Sequence, residues 1–174
     1  TKGYKLLLKG EASQKGWDTS KHLGQLSFLW DQYVPLSPTF SMFSKIVLGR
    51  TVRNNYNIPL HYYYFAGGTL PSTLFEEHQF TFYGQNVQEL RGPNIQYLQL
   101  GGQLNIAKDF YLRGLFNIAN LSNTWDWDAN YKNLEDGFGF SFGTPTVIGP
   151  VELILDGDDI NGPFSLRINV GYTF

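Results

Sequence analysis

The sequence predicts an all-β fold, an antiparallel transmembrane β-barrel with about eight strands in this chain. Apolar and polar residues alternate over most of its length, as in strands that have one apolar and one polar face. Long and short connections also alternate between these strands, which is typical of outer-membrane barrels. No segment shows the period of an amphipathic helix.

The alternation predicts the strands in chain order. Eight main strands are expected near residues 3–13, 22–34, 38–53, 95–107, 110–121, 137–145, 149–156 and 163–174. The last strand is the clearest, because every second residue from Phe164 to Phe174 is apolar and polar or small residues lie between them. Two shorter extended pieces, at 58–66 and 78–84, have a weaker pattern.

The connections distinguish the two ends of the predicted barrel. The long ones are 13–20, 54–94, 122–136 and 156–163, and the short ones are 35–38, 107–109 and 144–150. Outer-membrane barrels have longer external loops and short periplasmic turns, so both chain ends should lie on the periplasmic side. The whole chain, 1–174, is therefore expected to be a single barrel domain or a C-terminal half-barrel, with 54–94 as a long outer loop.

The two faces of the strands should meet different surroundings. The residues expected to face the lumen are Lys5, Lys9, Lys45, Gln103, Arg113, Glu152 and Arg167. The aromatic residues expected at the membrane interfaces are Trp30, Tyr33, Trp125 and Trp127. A soluble barrel or sandwich would alternate too, but its polar face would be rich in Lys and Glu rather than in Gln, Asn, Ser and Gly.

Composition excludes several other classes of protein. Lys and Arg number 13 and Asp and Glu 15, so the net charge is −2 and no nucleic-acid partner is expected. The absence of Cys excludes disulfide scaffolds, Cys-based metal sites and thiol nucleophiles. No apolar run approaches the ~20 residues of a membrane-spanning helix. Thr1 opens no signal peptide, so the chain is expected to be processed or to be part of a longer protein.

One sequence pattern matches a known catalytic motif. Gly139-x-Ser141-x-Gly143 matches the nucleophile elbow of hydrolases, which requires a sharp turn from a strand into a helix. Here the pattern lies inside an alternating strand, so no catalytic residue is predicted. The three His residues are isolated in sequence, and the acidic residues of the 156–163 loop, which include Asp156, are expected to be solvated. No metal and no cofactor are predicted.

The C-terminal region resembles known outer-membrane proteins. Outer-membrane insertion machinery recognises a terminal aromatic residue with apolar residues at every second position before it. The matching residues here are Leu166, Ile168, Val170, Tyr172 and Phe174. Residues 137–145, the Ile148-Gly149-Pro150 turn and the closing strand resemble the final three strands of the bacterial surface-antigen barrels. That superfamily includes the outer-membrane insertases and the two-partner secretion translocators.

Within that superfamily, residues 80–84 and 89–92 are most similar to the branch fused to patatin-like phospholipases. The insertases carry Val-Arg-Gly-aromatic on the corresponding loop, whereas here Leu90 precedes and Pro93 follows the Arg91-Gly92 pair. The family has sixteen strands. The resemblance therefore implies that this chain is the C-terminal half of such a barrel.

The resemblance also implies a function and a location. The chain would be a membrane anchor, or a translocation or display platform, for an N-terminal periplasmic or patatin-like domain outside this chain, in the outer membrane of a Gram-negative bacterium. Any phospholipase activity would belong to the upstream domain. The expected partners are the lipid bilayer and the insertion machinery, with self-pairing if a half-barrel is expressed alone. Two alternatives stay open: a complete eight-stranded structural or adhesion barrel, and a barrel-embedded lipid hydrolase.

Overall fold

The structure, a computed structural model, describes residues 3–13, 23–53, 58–69, 78–125, 134–147 and 149–171. It contains one antiparallel sheet of eight strands and a small sheet of three short strands. The strands of the large sheet are β1 Gly3–Ser13, β2 Leu23–Pro35, β3 Phe40–Arg53, β7 Asn94–Ala107, β8 Phe110–Ser122, β9 Glu135–Thr146, β10 Gly149–Gly157 and β11 Ser165–Val170. The predicted all-β class and the eight antiparallel strands are confirmed.

Each strand of the large sheet pairs with the large-sheet strand that follows it in sequence. β3 therefore pairs with β7, although other residues lie between them in the chain. The pairing covers most of each strand; between β2 and β3 it runs from Leu23 opposite Arg53 to Pro35 opposite Ser41. Tight turns join the strands at one end. At the β2–β3 turn, for example, the N–H groups of Leu36 and Ser37 both donate to the Phe40 carbonyl. The strand ends that precede and follow the longer connections lie at the opposite end of the sheet.

The residues between β3 and β7 form a second unit on one face of the large sheet. A 3₁₀ turn at Leu60–Tyr62 leads into β4 Tyr64–Ala66. This strand lies between β5 Gln79–Phe80, which is parallel to it, and β6 Leu90–Gly92, which is antiparallel. We call residues 58–69 and 78–92 the plug. The sequence predicted an outer loop over 54–94 and did not predict that the plug packs on the sheet.

The sheet is open in the part of the chain that the structure describes, so the expected closure into a barrel is not seen there. Strands β1 and β11 are its edges, and each pairs with one neighbour. The plug gives a physical reason, since it occupies the face around which the strands would have to close. The interior of an eight-stranded barrel is just wide enough for side chains or one small ligand.

Candidate functional site

The two faces of the large sheet differ in both chemistry and exposure. The open face carries the apolar residues of the alternating pattern, and they are uncovered. On β11, for example, Leu166 and Ile168 are 67% and 68% exposed. On β7, Leu100 and Leu104 are exposed in the same way. An apolar face without protein cover is the reverse of the arrangement in a soluble sheet protein.

The other face, which we call the covered face, carries the plug and buries polar side chains. Each of the following is at most 9% exposed: Gln25, Ser41, Thr51, Gln99, Asn117, Ser141, Glu152, Asp156 and Asn169. Buried polar groups require hydrogen-bond partners. The plug and the neighbouring strands supply most of these partners, as the following contacts show.

The plug packs on the end of the covered face near the long connections. An apolar cluster joins the two units, and its members are Val47, Tyr64, Ala66, Phe80, Phe82, Ile95, Tyr97 and Ala119. The Tyr97 hydroxyl is not left unpaired in this cluster, because it donates to the Thr81 carbonyl at 2.7 Å. Burial of each large apolar side chain contributes about 1.5–3 kcal/mol. Burial of the cluster therefore stabilises the docking of the plug.

Two glycines of the sheet allow tyrosines of the plug to approach the backbone closely. A Cβ at Gly49 would lie 2.3 Å from the Tyr64 ring, and a Cβ at Gly139 would lie 2.2 Å from the Tyr83 ring. Burial raises the pKa of Tyr64 and that of Tyr83 to about 12. Both phenols are therefore neutral at physiological pH, and their rings pack as apolar surfaces on the two glycines.

Asn117 on β8 holds the backbone of the plug at Tyr83. Its side-chain oxygen accepts a hydrogen bond from the Tyr83 N–H at 3.3 Å, and its side-chain amide donates to the Tyr83 carbonyl at 3.2 Å. The same amide donates to the Gly137 carbonyl at 3.1 Å. Asn117 is fully buried. Asn117 of the large sheet thus satisfies both backbone hydrogen-bonding groups of Tyr83 in the plug.

A buried ion pair holds the next two residues of the plug. The Asp156 carboxylate accepts a hydrogen bond from the Gly84 N–H at 2.8 Å and another from Arg167 Nε at 2.9 Å. Arg167 also donates to the Gln85 carbonyl at 3.2 Å. The expectation that Asp156 lies in a solvated loop was wrong: it lies one residue before the end of β10, on the covered face, and is fully buried. Strand pairing with β9 continues through both Asp156 and Gly157.

The half of the covered face near the short turns is not filled by the plug. A recess of about 360 Å³ lies there, with Thr69, Thr81 and Tyr83 of the plug on one side. Arg113 lines the recess. One of its guanidinium nitrogens lies 3.2 Å from the Glu152 carboxylate, and another lies 3.1 Å from the Gln103 side-chain oxygen. Both charge signs are present in this recess, so it suits water and polar solutes.

The residues expected to face the lumen all belong to the covered face. The structure brings Gln103, Arg113 and Glu152 together, and the Tyr111 hydroxyl completes the group by donating to Glu152 at 2.7 Å. Three further ion pairs join Lys45 to Asp31, Lys9 to Glu11 and Arg167 to Asp156. Lys5 lies on the edge strand β1 opposite Asp31 and is exposed.

The residues expected at the membrane interfaces are divided between the two faces. Trp30 lies on the open face, whereas Tyr33 lies on the covered face, where it lines the recess and hydrogen-bonds Ser41. Tyr33 therefore lies on the same face of β2 as Asp31, and not on the face of Trp30. Trp125 follows β8, and Trp127 lies outside the described residues.

The expected insertion signal is described only in part. Leu166, Ile168 and Val170 project from the open face of β11, while Tyr172 and Phe174 lie outside the described residues.

Ser141 lies in a regular part of the sheet, opposite Arg113 on β8 and Ile154 on β10. It is 3% exposed, and its hydroxyl has no hydrogen-bond partner among the described residues. The described residues contain no group of three or more His, Cys, Asp or Glu arranged to hold a metal ion.

Comparisons with known proteins add no relative. No protein-family model matches the chain, and no curated protein is significantly similar to it. Within the described ranges, no helix has the length and apolar character needed to span a membrane.

Proposed function

We propose that the chain is the membrane-embedded part of a β-barrel in the outer membrane of a Gram-negative bacterium. The observation that carries the proposal is the inverted polarity of the sheet. Phe140 is 61% exposed on the open face, while its neighbour Ser141 is 3% exposed on the covered face. Lipid is the surrounding that favours this arrangement, because it solvates an apolar face and leaves the polar face to an aqueous interior.

The size of the plug supports a barrel with more strands than the described sheet provides. The plug contains backbone, a three-stranded sheet and several aromatic side chains. This is more than the interior of an eight-stranded barrel holds. In our proposal, further strands complete the barrel between β11 and β1. The resemblance of the C-terminal region to the sixteen-stranded surface-antigen barrels supports the view that the chain supplies the C-terminal half.

In this proposal the barrel is an anchor, and a translocation or display platform, for an N-terminal periplasmic or patatin-like domain outside this chain. The resemblance supports that role. The covered face supports it too, because a plugged polar interior suits a regulated passage better than a purely structural barrel. The insertion machinery would be the partner that recognises the C-terminal strand.

Site-directed spin labelling tests the membrane location, and the absence of native Cys makes single labels unambiguous. A label at Leu104 on the open face and one at the adjacent Gln103 on the covered face form a matched pair. In lipid vesicles the Leu104 label should collide with dissolved oxygen, which concentrates in lipid, and the Gln103 label with a water-soluble nickel complex. Equal accessibility of both labels to the water-soluble reagent would contradict the proposal.

Disulfide cross-linking tests the number of strands. A disulfide requires Cα atoms within about 4.4–6.8 Å. Cys pairs that join Leu6 or Leu8 on β1 to Leu166 or Ile168 on β11 would cross-link within one molecule only if the eight strands closed on themselves. We expect no such product. Leu153 and Ile168 face each other across β10 and β11 and provide the positive control. Efficient β1–β11 cross-linking within one molecule would favour the complete eight-stranded barrel.

A further inference from the structure

The open face has an apolar groove near the long connections. Its volume is about 310 Å³, and its apolar lining consists mainly of Ile46, Leu48, Leu98, Ile118 and Leu134. The strand pairing creates this lining, because Ile46 lies opposite Leu98 and Leu98 lies opposite Ile118. The groove faces away from the plug, on the surface that our proposed function places in lipid.

A cation lies just beyond the groove on the same face. Arg50 follows Leu48 by two residues on β3, which places it about 7 Å further toward the long connections. It is exposed, and its guanidinium lies 5.9 Å from the centre of the Trp125 ring. Among the described residues, no carboxylate lies within ion-pair distance of Arg50. Gln96, opposite Leu48, adds a polar side chain at this end of the groove.

We propose that the groove and Arg50 together bind one anionic, phosphate-bearing lipid. One acyl chain lies along the apolar lining, and the phosphate contacts the Arg50 guanidinium above it. Arginine suits this role because its planar fork donates two parallel hydrogen bonds to a phosphate and remains charged at all physiological pH values. The Trp125 ring contacts one side of the guanidinium through a cation–π interaction. This inference rests on the proposed membrane location of the open face.

A second groove on the open face serves as an internal comparison. It has a volume of about 320 Å³, and its lining includes Phe40, Leu104, Leu112 and Phe140. Arg113 also lines it, but the Arg113 guanidinium is held on the covered face by Glu152 and Gln103. It lies toward the short turns, and no arginine follows it on the open face of the described strands. An apolar groove with no guanidinium on the open face should accept acyl chains of any lipid, so headgroup selectivity should belong to the first groove alone.

The test measures lipid retained by the purified chain in nonionic detergent, by native mass spectrometry. Phosphatidylglycerol and phosphatidylcholine with identical acyl chains are the two probes. We expect one tightly held phosphatidylglycerol, with the affinity reduced about fivefold in Arg50→Gln, because one basic side chain at an anionic lipid surface contributes about that factor. Arg91→Gln, which removes an exposed arginine of the plug, is the control and should change nothing.

A second pair of variants tests the groove itself. Leu98→Trp fills the first groove and keeps the face apolar, so it should remove the tightly held lipid. Leu104→Trp fills the second groove and should leave that lipid in place. Inorganic phosphate should not displace the lipid, because the acyl chain contributes part of the affinity.

Three results would overturn the inference: equal affinity for the two lipids, equal effects of the Arg50 and Arg91 variants, or complete displacement of the lipid by inorganic phosphate. Flotation with lipid vesicles separates this failure from failure of the proposed function. If the chain and its variants float with vesicles but show no lipid preference, only this inference is wrong. If the chain does not associate with vesicles of either lipid, the membrane location is wrong as well.

Discussion

The open and covered faces of the large sheet are formed by the same strands, yet different interactions stabilise them. Neighbouring residues such as Phe140 and Ser141 differ in exposure by more than half of their surface. On the covered face, stability depends on individual contacts, since each buried polar group needs a particular partner. On the open face it depends on the surrounding medium, because many of its apolar side chains are exposed. Substitutions on the two faces should therefore fail for different reasons.

The largest effect is expected from the buried ion pair of the covered face. Asp156→Ala leaves Arg167 without its carboxylate and the Gly84 N–H without its acceptor. Removal of one partner of a fully buried pair costs about 3–5 kcal/mol. The Arg167 side chain is 22% exposed, so the loss should lie near the lower end of that range, at about 3 kcal/mol. The free energy of unfolding, from urea titration of the chain in lipid vesicles, should fall by that amount. Asp158→Ala, at an exposed position two residues later, is the matched control.

The double variant Asp156→Ala with Arg167→Met sharpens this test. It removes the uncompensated charge, so part of the lost stability should return. A double variant as unstable as the sum of both single changes would show that the two side chains act independently.

A charge on the open face should have the next largest effect, and only in lipid. Leu100→Arg places a guanidinium near the middle of β7, where lipid contact makes it cost about 2–4 kcal/mol. Lys45→Arg lies at the neighbouring level of the sheet on the covered face, because Lys45 is opposite Gln99. It keeps the charge beside Asp31 and should change stability little. Similar losses in both variants would break the distinction between the faces.

Substitution of a glycine by alanine should affect the two faces of the sheet differently. Gly139→Ala would place a Cβ 2.2 Å from the Tyr83 ring, whereas Gly114→Ala on the open face would meet nothing closer than 3.5 Å. Overpacking of this kind costs about 1–3 kcal/mol, so Gly139→Ala should loosen the plug and Gly114→Ala should not. Protease cleavage within 58–92 under native conditions measures the loosening. Equal cleavage rates in the two variants would indicate that the Tyr83 ring does not pack against Gly139 on β9.

The smallest effect is expected at Ser141. Its hydroxyl is buried without a partner in the described structure, so Ser141→Ala should leave stability unchanged or raise it by up to about 1 kcal/mol. Hydrolysis of a short acyl ester should be the same in both proteins. Esterase activity that disappears in the variant would instead favour the barrel-embedded lipid hydrolase.

The sequence predicted the large sheet well because its signal is local. A period of two is visible within a few residues, and the alternation around Leu98 and Leu100 placed the start of β7 within one residue of its position. The predicted end of the last strand is later than the described end at Val170, since aromatic alternation continues to Phe174.

The plug and its contacts could not be predicted in this way. Its strands are two or three residues long, too short for a periodic signal. Its partners are far apart in sequence: Asn117 lies 34 residues from Tyr83, and Asp156 lies 72 residues from Gly84. The glycines at 137 and 139 were a visible signal, because glycine inside a strand marks a close backbone approach. They did not identify the residue that approaches.

These separations have a consequence for the order of folding. Gln85 contacts a residue 82 positions later, and Thr69 bonds Asn169, which is 100 positions later. Contacts between such distant residues require large loops to close, so they form late and slow the reaction. The central strands β3, β7 and β8 are neighbours in the sheet and can pair before β10 and β11 are in place. The plug, however, acquires its last polar contacts only when β10 and β11 have joined the sheet.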